Sequence, residues 1–230
     1  LQAPALDAEA RAVLEAATRN TAVVAAESSS AVDLRKVAAV YMVYGTAEWT
    51  ARRFEPGLAW LERARTTFQQ IAATAPQDRT ARRDVAVVAG RIGLVHMRGT
   101  GRYEEGLVHY RQAYDTLDAL AREVPGNAEV QRARVYSRAS VGQLLVLLRR
   151  PAEALRELEP ELAQLDAWRR ADAADAIAPL ALGAVLNLVG EARLQRGEYE
   201  AALARFDEAA RYLGPELADG VADFRVLRAQ

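Results

Sequence analysis

The sequence predicts an all-α fold made of repeated antiparallel helix pairs, about ten helices in total. Three observations lead there. Glycines at 45, 93, 142 and 190 recur at intervals of 48, 49 and 48 residues. The residues after each glycine follow one pattern. Helix breakers fall where that pattern needs ends, and strand signals are absent. Self-similarity at a fixed period over four copies is the signature of a repeat architecture.

The pattern is concrete. About nine residues after each glycine stands an aromatic or a proline at a turn: Phe54, Tyr103, Pro151, Tyr199. Three further on comes a small residue: Gly57, Gly106, Ala154, Ala202. Four later comes a bulky one: Leu61, Tyr110, Leu158, Phe206. Three units then place a small residue after three more, Ala64, Ala113 and Ala209, whereas the third has Glu161. Apolar residues at three- and four-residue spacing flank each turn, so each unit reads as two amphipathic helices. Helices approach closely only where side chains are small. The four glycines are expected to serve that contact on the first helix and the alanines on the second. Tyr110 and Phe206 are expected to fill the hollow between successive pairs.

Taken in order, a leading helix is predicted over residues 5–27. Repeats follow at about 33–76, 79–125, 127–170 and 172–214, with a terminal helix at 216–229. Pro76 and Pro125 end second helices, and Asp78 and Asn127, two residues later, suit the N-cap of the next. Gly214-Pro215 closes the fourth unit. Pro151 opens a helix, where its missing N–H costs nothing. Pro160 is expected to kink its helix, and Pro179 to do so or to lie in a first turn. The whole chain reads as one repeat domain, 1–230.

The stretch from Val189-Gly190 through Gly197-Glu-Tyr199 to Ala202, Phe206 and Ala209 resembles a tetratricopeptide repeat (TPR). That family pairs Leu-Gly with a Gly-x-Tyr turn and then Ala, an aromatic and Ala. The second unit matches with one extra turn residue in Gly99-Thr100-Gly101, and the first and third are degenerate. The family's period is about 34. A period near 48 lengthens each helix by roughly seven residues, about two turns. Such long units resemble the repeat region that follows the catalytic domain in some bacterial serine/threonine kinases. The resemblance implies a right-handed α-solenoid whose first helices line a concave groove. It also implies a non-catalytic protein- or peptide-binding scaffold.

Carried onto this sequence, the family's groove positions are Met42, Thr46 and Trp49; Arg91, Leu94, Met97 and Arg98; Tyr136, Gln143 and Val146; and Asn187, Glu191 and Leu194. Family members that clamp a C-terminal carboxylate use Lys and Asn at matching places. This chain has Met42 and Thr46, Gly90 and Leu94, Ala139 and Gln143 there, so that clamp is not expected. The expected partner is a protein or peptide, with an acidic segment as one option. The other function considered is a sensor that binds a small molecule or short signalling peptide in the groove.

Composition narrows the rest. The chain is 51% hydrophobic and 27% charged, with a formal net charge of −1, so no overall field favours nucleic acid. It has no cysteine, which excludes disulfides and thiolate chemistry, and Lys36 is its only lysine. No apolar run approaches the ~20 residues of a membrane span, and no membrane insertion is expected. Leu1 is not a start methionine, and the sequence still reads as helix at Gln230. A segment of a longer protein is therefore expected, cytoplasmic, or extracytoplasmic should it follow a membrane span.

No catalytic, metal or cofactor site is expected. His96 and His109 read as surface or groove residues. Gly99-Thr-Gly lacks the strand and third glycine of a phosphate loop. Asp223-Phe-Arg lacks the glycine of a kinase Asp-Phe-Gly. From Arg79 to Arg111, seven arginines stand against three acids. That stretch is either a solvated helix face or a site for an acidic peptide.

Overall fold

The computed structural model describes residue 16 and residues 30–171 and 177–213. The expected helix at 5–27, apart from residue 16, the one at 216–229 and the closing Gly-Pro lie outside these. The described residues hold eight α-helices and no strand: α1 (Ala31–Thr50), α2 (Phe54–Thr74), α3 (Arg79–Val95), α4 (Tyr103–Glu123), α5 (Ala128–Leu147), α6 (Pro151–Ala171), α7 (Ile177–Gln195) and α8 (Tyr199–Leu213). They alternate as the first and second helices of four hairpins. Contacts divide the chain into two compact units, Leu1–Gln131 and Arg132–Gln230.

Each hairpin is built on its glycine. A Cβ on Gly45 would stand 2.6 Å from Leu61 Cγ, one on Gly93 2.7 Å from the Tyr110 ring, and one on Gly190 2.5 Å from the Phe206 ring. Leu158 lies over Gly142 in the same way. The bulky residue therefore packs onto the glycine of its own hairpin, and Leu61 also joins the core shared with the next hairpin. Each such buried side chain contributes roughly 1.5–3 kcal/mol. The small positions Ala64, Ala113, Ala154, Ala202 and Ala209 are all buried.

The turns share one geometry. Two residues before each second helix the backbone is left-handed: Arg52 (φ 60°), Gly101 (φ 69°), Arg149 (φ 57°) and Gly197 (φ 77°). Arg53 N donates to Glu48 O and Arg52 N to Trp49 O, and the same pair of bonds recurs at Arg150 and Arg149 and at Glu198 and Gly197. This is the Schellman ending, for which glycine is the natural residue. Arginine occupies it in the two degenerate units. In the second hairpin the extra turn residue is absorbed by a π-helical turn, His96–Thr100, continuing α3.

The caps are where the sequence placed them. Asp78 accepts from the N–H groups of Thr80 and Ala81, and Asn127 from that of Val130. The hydrogen bond from Ala81 is the main reason the Asp78 carboxyl is held below its usual range. Pro179 lies in the first turn of α7, and Pro160 sits inside an unbroken α6.

In the first unit, hairpin α1–α2 stacks on α3–α4. Arg35 of α1 bonds Asp84 of α3 at 3.0 Å and its cap Asp78 at 3.1 Å, while Glu55 of α2 pairs with Arg102, the N-cap of α4. The core between them includes Val37, Leu61, Phe68, Ile71, Val88 and Ile92.

In the second unit, α5 and α6 are joined by a buried ion pair. Arg134 donates twice to Glu161, at 3.0 Å each, and the two side chains are 5% and 1% exposed. Arg138 adds its Nε to the Glu157 carbonyl at 2.8 Å and lies 3.5 Å from the Glu161 carboxylate. The residue that broke the small-residue rule is thus buried with a partner. Helix α7 is long and apolar enough to cross a membrane by length and composition alone, contrary to the expectation from the sequence. Its apolar side supplies buried Ala178, Leu182, Val185, Leu186, Val189 and Ala192 to the second unit.

Candidate functional site

The predicted groove residues separate into those that face outward and those that build the core. In the first unit the structure brings together α1 and α3. Arg91 Nη1 donates to Thr46 Oγ1 at 3.3 Å, and that hydroxyl donates to the Met42 carbonyl at 2.8 Å. Arg91 and Arg98 are exposed, and Leu94 is half-buried. Met42 and Trp49 are partly buried against the hydrophobic core. Met97 is 6% exposed, which removes it from the surface a partner could reach.

Most of the basic stretch is spoken for. Arg79 and Arg82 both bind Glu123, Arg83 binds Glu129, and Arg102 binds Glu55. The hydrogen bonds from Arg82 and then Arg79 lower the Glu123 carboxyl to about 2. Every one of these acids lies outside the Arg79–Arg111 window, so the local excess of charge largely disappears. Arg98, on the π-helical turn, has no ion-pair partner among the described residues.

His96 and His109 are not surface residues. Their rings stack at 5.7 Å with planes 12° apart, and His96 is 8% exposed. His96 Nδ1 is 3.3 Å from Thr100 Oγ1, and His109 Nε2 is 4.0 Å from Glu62. Burial pushes both imidazoles below their usual range. Among the described residues, no group of three or more His, Asp or Glu side chains could hold a metal.

The second unit carries a cleft of about 160 Å³. Val135, Tyr136 and Ala139 of α5 form one wall, and Ile177, Ala181, Ala184 and Val185 of α7 the other. Trp168 of α6 completes it, with the Arg132 guanidinium 5.8 Å from its ring. Tyr136 is 54% exposed at the mouth. Trp168 was not legible as a site residue because it lies on a second helix, away from the family's groove positions. Helices α5 and α7 run side by side in parallel, since Gln195 Nε2 at the far end donates to the Val146 carbonyl at 3.0 Å. Of the other predicted residues, Gln143 is half-buried, and Asn187 donates to Glu191 Oε1 at 2.7 Å. Burial raises the Glu191 carboxyl above its usual range. Val146 is buried, and Leu194 packs on Ala202 and Phe206 within the α7–α8 hairpin.

Two units of helix hairpins with a conserved internal geometry define an all-helical, helical-repeat-like protein. No family model matches the sequence, and no curated protein matches it. Among solved structures the chain is similar to the crystal structure of BtubC (BKLC) from P. vanneervenii. The TM-score is 0.64 at 15% identity, over 89% of this chain and 72% of that one. A likeness at that identity concerns the fold.

Proposed function

We propose that this chain is a non-catalytic protein- or peptide-binding scaffold, a right-handed TPR-like solenoid that serves as the repeat region of a larger protein such as a bacterial signalling kinase. One observation carries the reading. Of the large hydrophobic side chains exposed among the described residues, six lie on first helices: Val32, Val43, Tyr136, Leu147, Ile177 and Leu180. Two, Val108 and Tyr199, lie on second helices. Apolar exposure weighted toward the helices that would line a groove supports an interaction surface there.

The sensor reading draws on the cleft in the second unit. Ligand pockets for whole small molecules occupy roughly 300–1,000 Å³, so 160 Å³ fits one side chain of a larger partner better than a metabolite. The test is selection of peptides from a displayed library against the full chain, followed by titration. Saturable binding of acidic peptides that weakens in Arg91→Ala/Arg98→Ala supports the scaffold and its first-unit face. Unchanged affinity removes that face. A melting temperature that rises with metabolites and with no peptide would instead favour the sensor.

A further inference from the structure

The second unit's surface has two parallel rows. On α5, Tyr136, Ala139 and Gln143 fall at i, i+3 and i+7, one face of a helix. On α7, Ala184, Asn187 and Glu191 have the same spacing. The rows belong to neighbouring helices, because Tyr136, Ala139 and Ala184 share the cleft and Gln195 reaches Val146 beyond it. At one end lies an apolar hollow backed by Trp168. A cavity of about 150 Å³ accommodates a benzene ring, so this one holds a single aromatic or aliphatic side chain.

At the other end is Glu191, seven residues along α7 from Ala184. That is about 10 Å at 1.5 Å per residue. Glu191 is half-buried, and its one hydrogen-bond partner among the described residues is the neutral Asn187 amide. No cation of the described residues faces it, and burial accordingly shifts its carboxyl upward. A carboxylate drawn partly out of water without a positive partner is an incomplete ion pair.

Resting on the scaffold reading, we infer that this track is a docking site for an extended peptide segment with a large apolar residue in the Tyr136–Trp168 cleft and a lysine or arginine on Glu191. The span sets the spacing. An extended chain advances about 3.3 Å per residue, so the basic residue lies three positions from the anchor. Asn187 holds one oxygen of the carboxylate, which leaves the second without a hydrogen-bond partner among the described residues. Charge complementarity thus favours the opposite sign to that expected for Arg91 and Arg98 in the first unit.

The probes are two labelled peptides, Ser-Phe-Ser-Ser-Arg-Ser and its reversed order, each with a control carrying Glu for Arg. They are titrated into the full chain by fluorescence polarisation. A charge-assisted hydrogen bond corresponds to roughly 10- to 100-fold in affinity, so one Arg peptide should bind that much more tightly than its control. Glu191→Gln, which keeps an acceptor for Asn187, should bring peptide and control together. Ala184→Leu, which fills the cleft from an exposed position without removing packing, should weaken both. No binding of either Arg peptide overturns the inference. So does a preference for Arg that survives Glu191→Gln, or binding indifferent to Ala184→Leu. In each of those cases the scaffold reading stands if selected peptides still depend on Arg91 and Arg98, and falls if the library yields none.

Discussion

Two glycines three residues apart on α3 should respond differently to alanine. Both sit inside the helix, so both substitutions gain the same ~0.5–1 kcal/mol from replacing glycine by a better helix former. Their surroundings differ. A Cβ on Gly90 would find one neighbour, Tyr110 Cε1 at 3.8 Å, an ordinary contact. A Cβ on Gly93 would stand 2.7, 2.9 and 3.1 Å from three atoms of the same ring. Tyr110 is fully buried, so the ring has no open space to yield into. Overpacking of this kind costs about 1–3 kcal/mol. Because the propensity gain cancels, the difference between the two variants isolates that cost. Gly90→Ala should raise the urea midpoint, and Gly93→Ala should leave it unchanged or lower stability by up to about 2 kcal/mol. Gly93→Ala as stable as Gly90→Ala, or more so, would refute the role assigned to the four repeat glycines.

Two further predictions concern buried charge. Glu161→Ala leaves the Arg134 guanidinium buried without its bidentate partner and should cost about 3–5 kcal/mol in chemical unfolding. Arg134→Met/Glu161→Leu removes both charges and should recover most of that loss, which a merely additive double variant would contradict. The stacked histidines make the fold acid-sensitive. Both have pKa values depressed by burial, so below about 6.5 the unfolded chain takes up protons first. Stability is therefore full above that pH and declines as pH falls toward the folded-state values. Asp84, raised by burial, works in the opposite sense. The contribution of the pair is the difference between the wild-type urea midpoint and that of His96→Gln/His109→Gln from pH 7.5 to 5. Parallel profiles would show that the rings are solvated.

The hairpins were legible because their determinants are local. Glycine, turn, small residue and bulky residue all lie within about twenty positions, and two helices joined by a short turn must bring them together. Asp78, Asn127 and Pro151 act on the backbone within four residues of themselves. The fate of Glu161 was not legible by the same logic. Its partner, Arg134, is 27 residues away on the facing helix, and nothing in the small-residue pattern specifies which exception will be compensated. The extra residue of the second turn was visible as a count. Its consequence, a π-helical end to α3, was not, and His96, on that turn, lies stacked on His109.

The charge pattern shows why the site resisted reading by windows. Arg35 meets Asp84 49 residues on, Arg91 meets Thr46 45 residues back, and Arg102 meets Glu55 at 47. Gln195 meets the Val146 carbonyl at 49. All these separations lie near the repeat period of 48 or 49. Stacking hairpins places each residue beside those about one period away. A run of arginines in one repeat is therefore neutralised by acids that a local window cannot contain. The informative residues are those left over when charge is balanced against the neighbouring repeat. Among those remainders are Arg91 and Arg98 in the first unit and, in the second, Glu191, half-buried with an amide for company. A repeat protein's binding chemistry is to be sought in such remainders, because the period itself accounts for the rest.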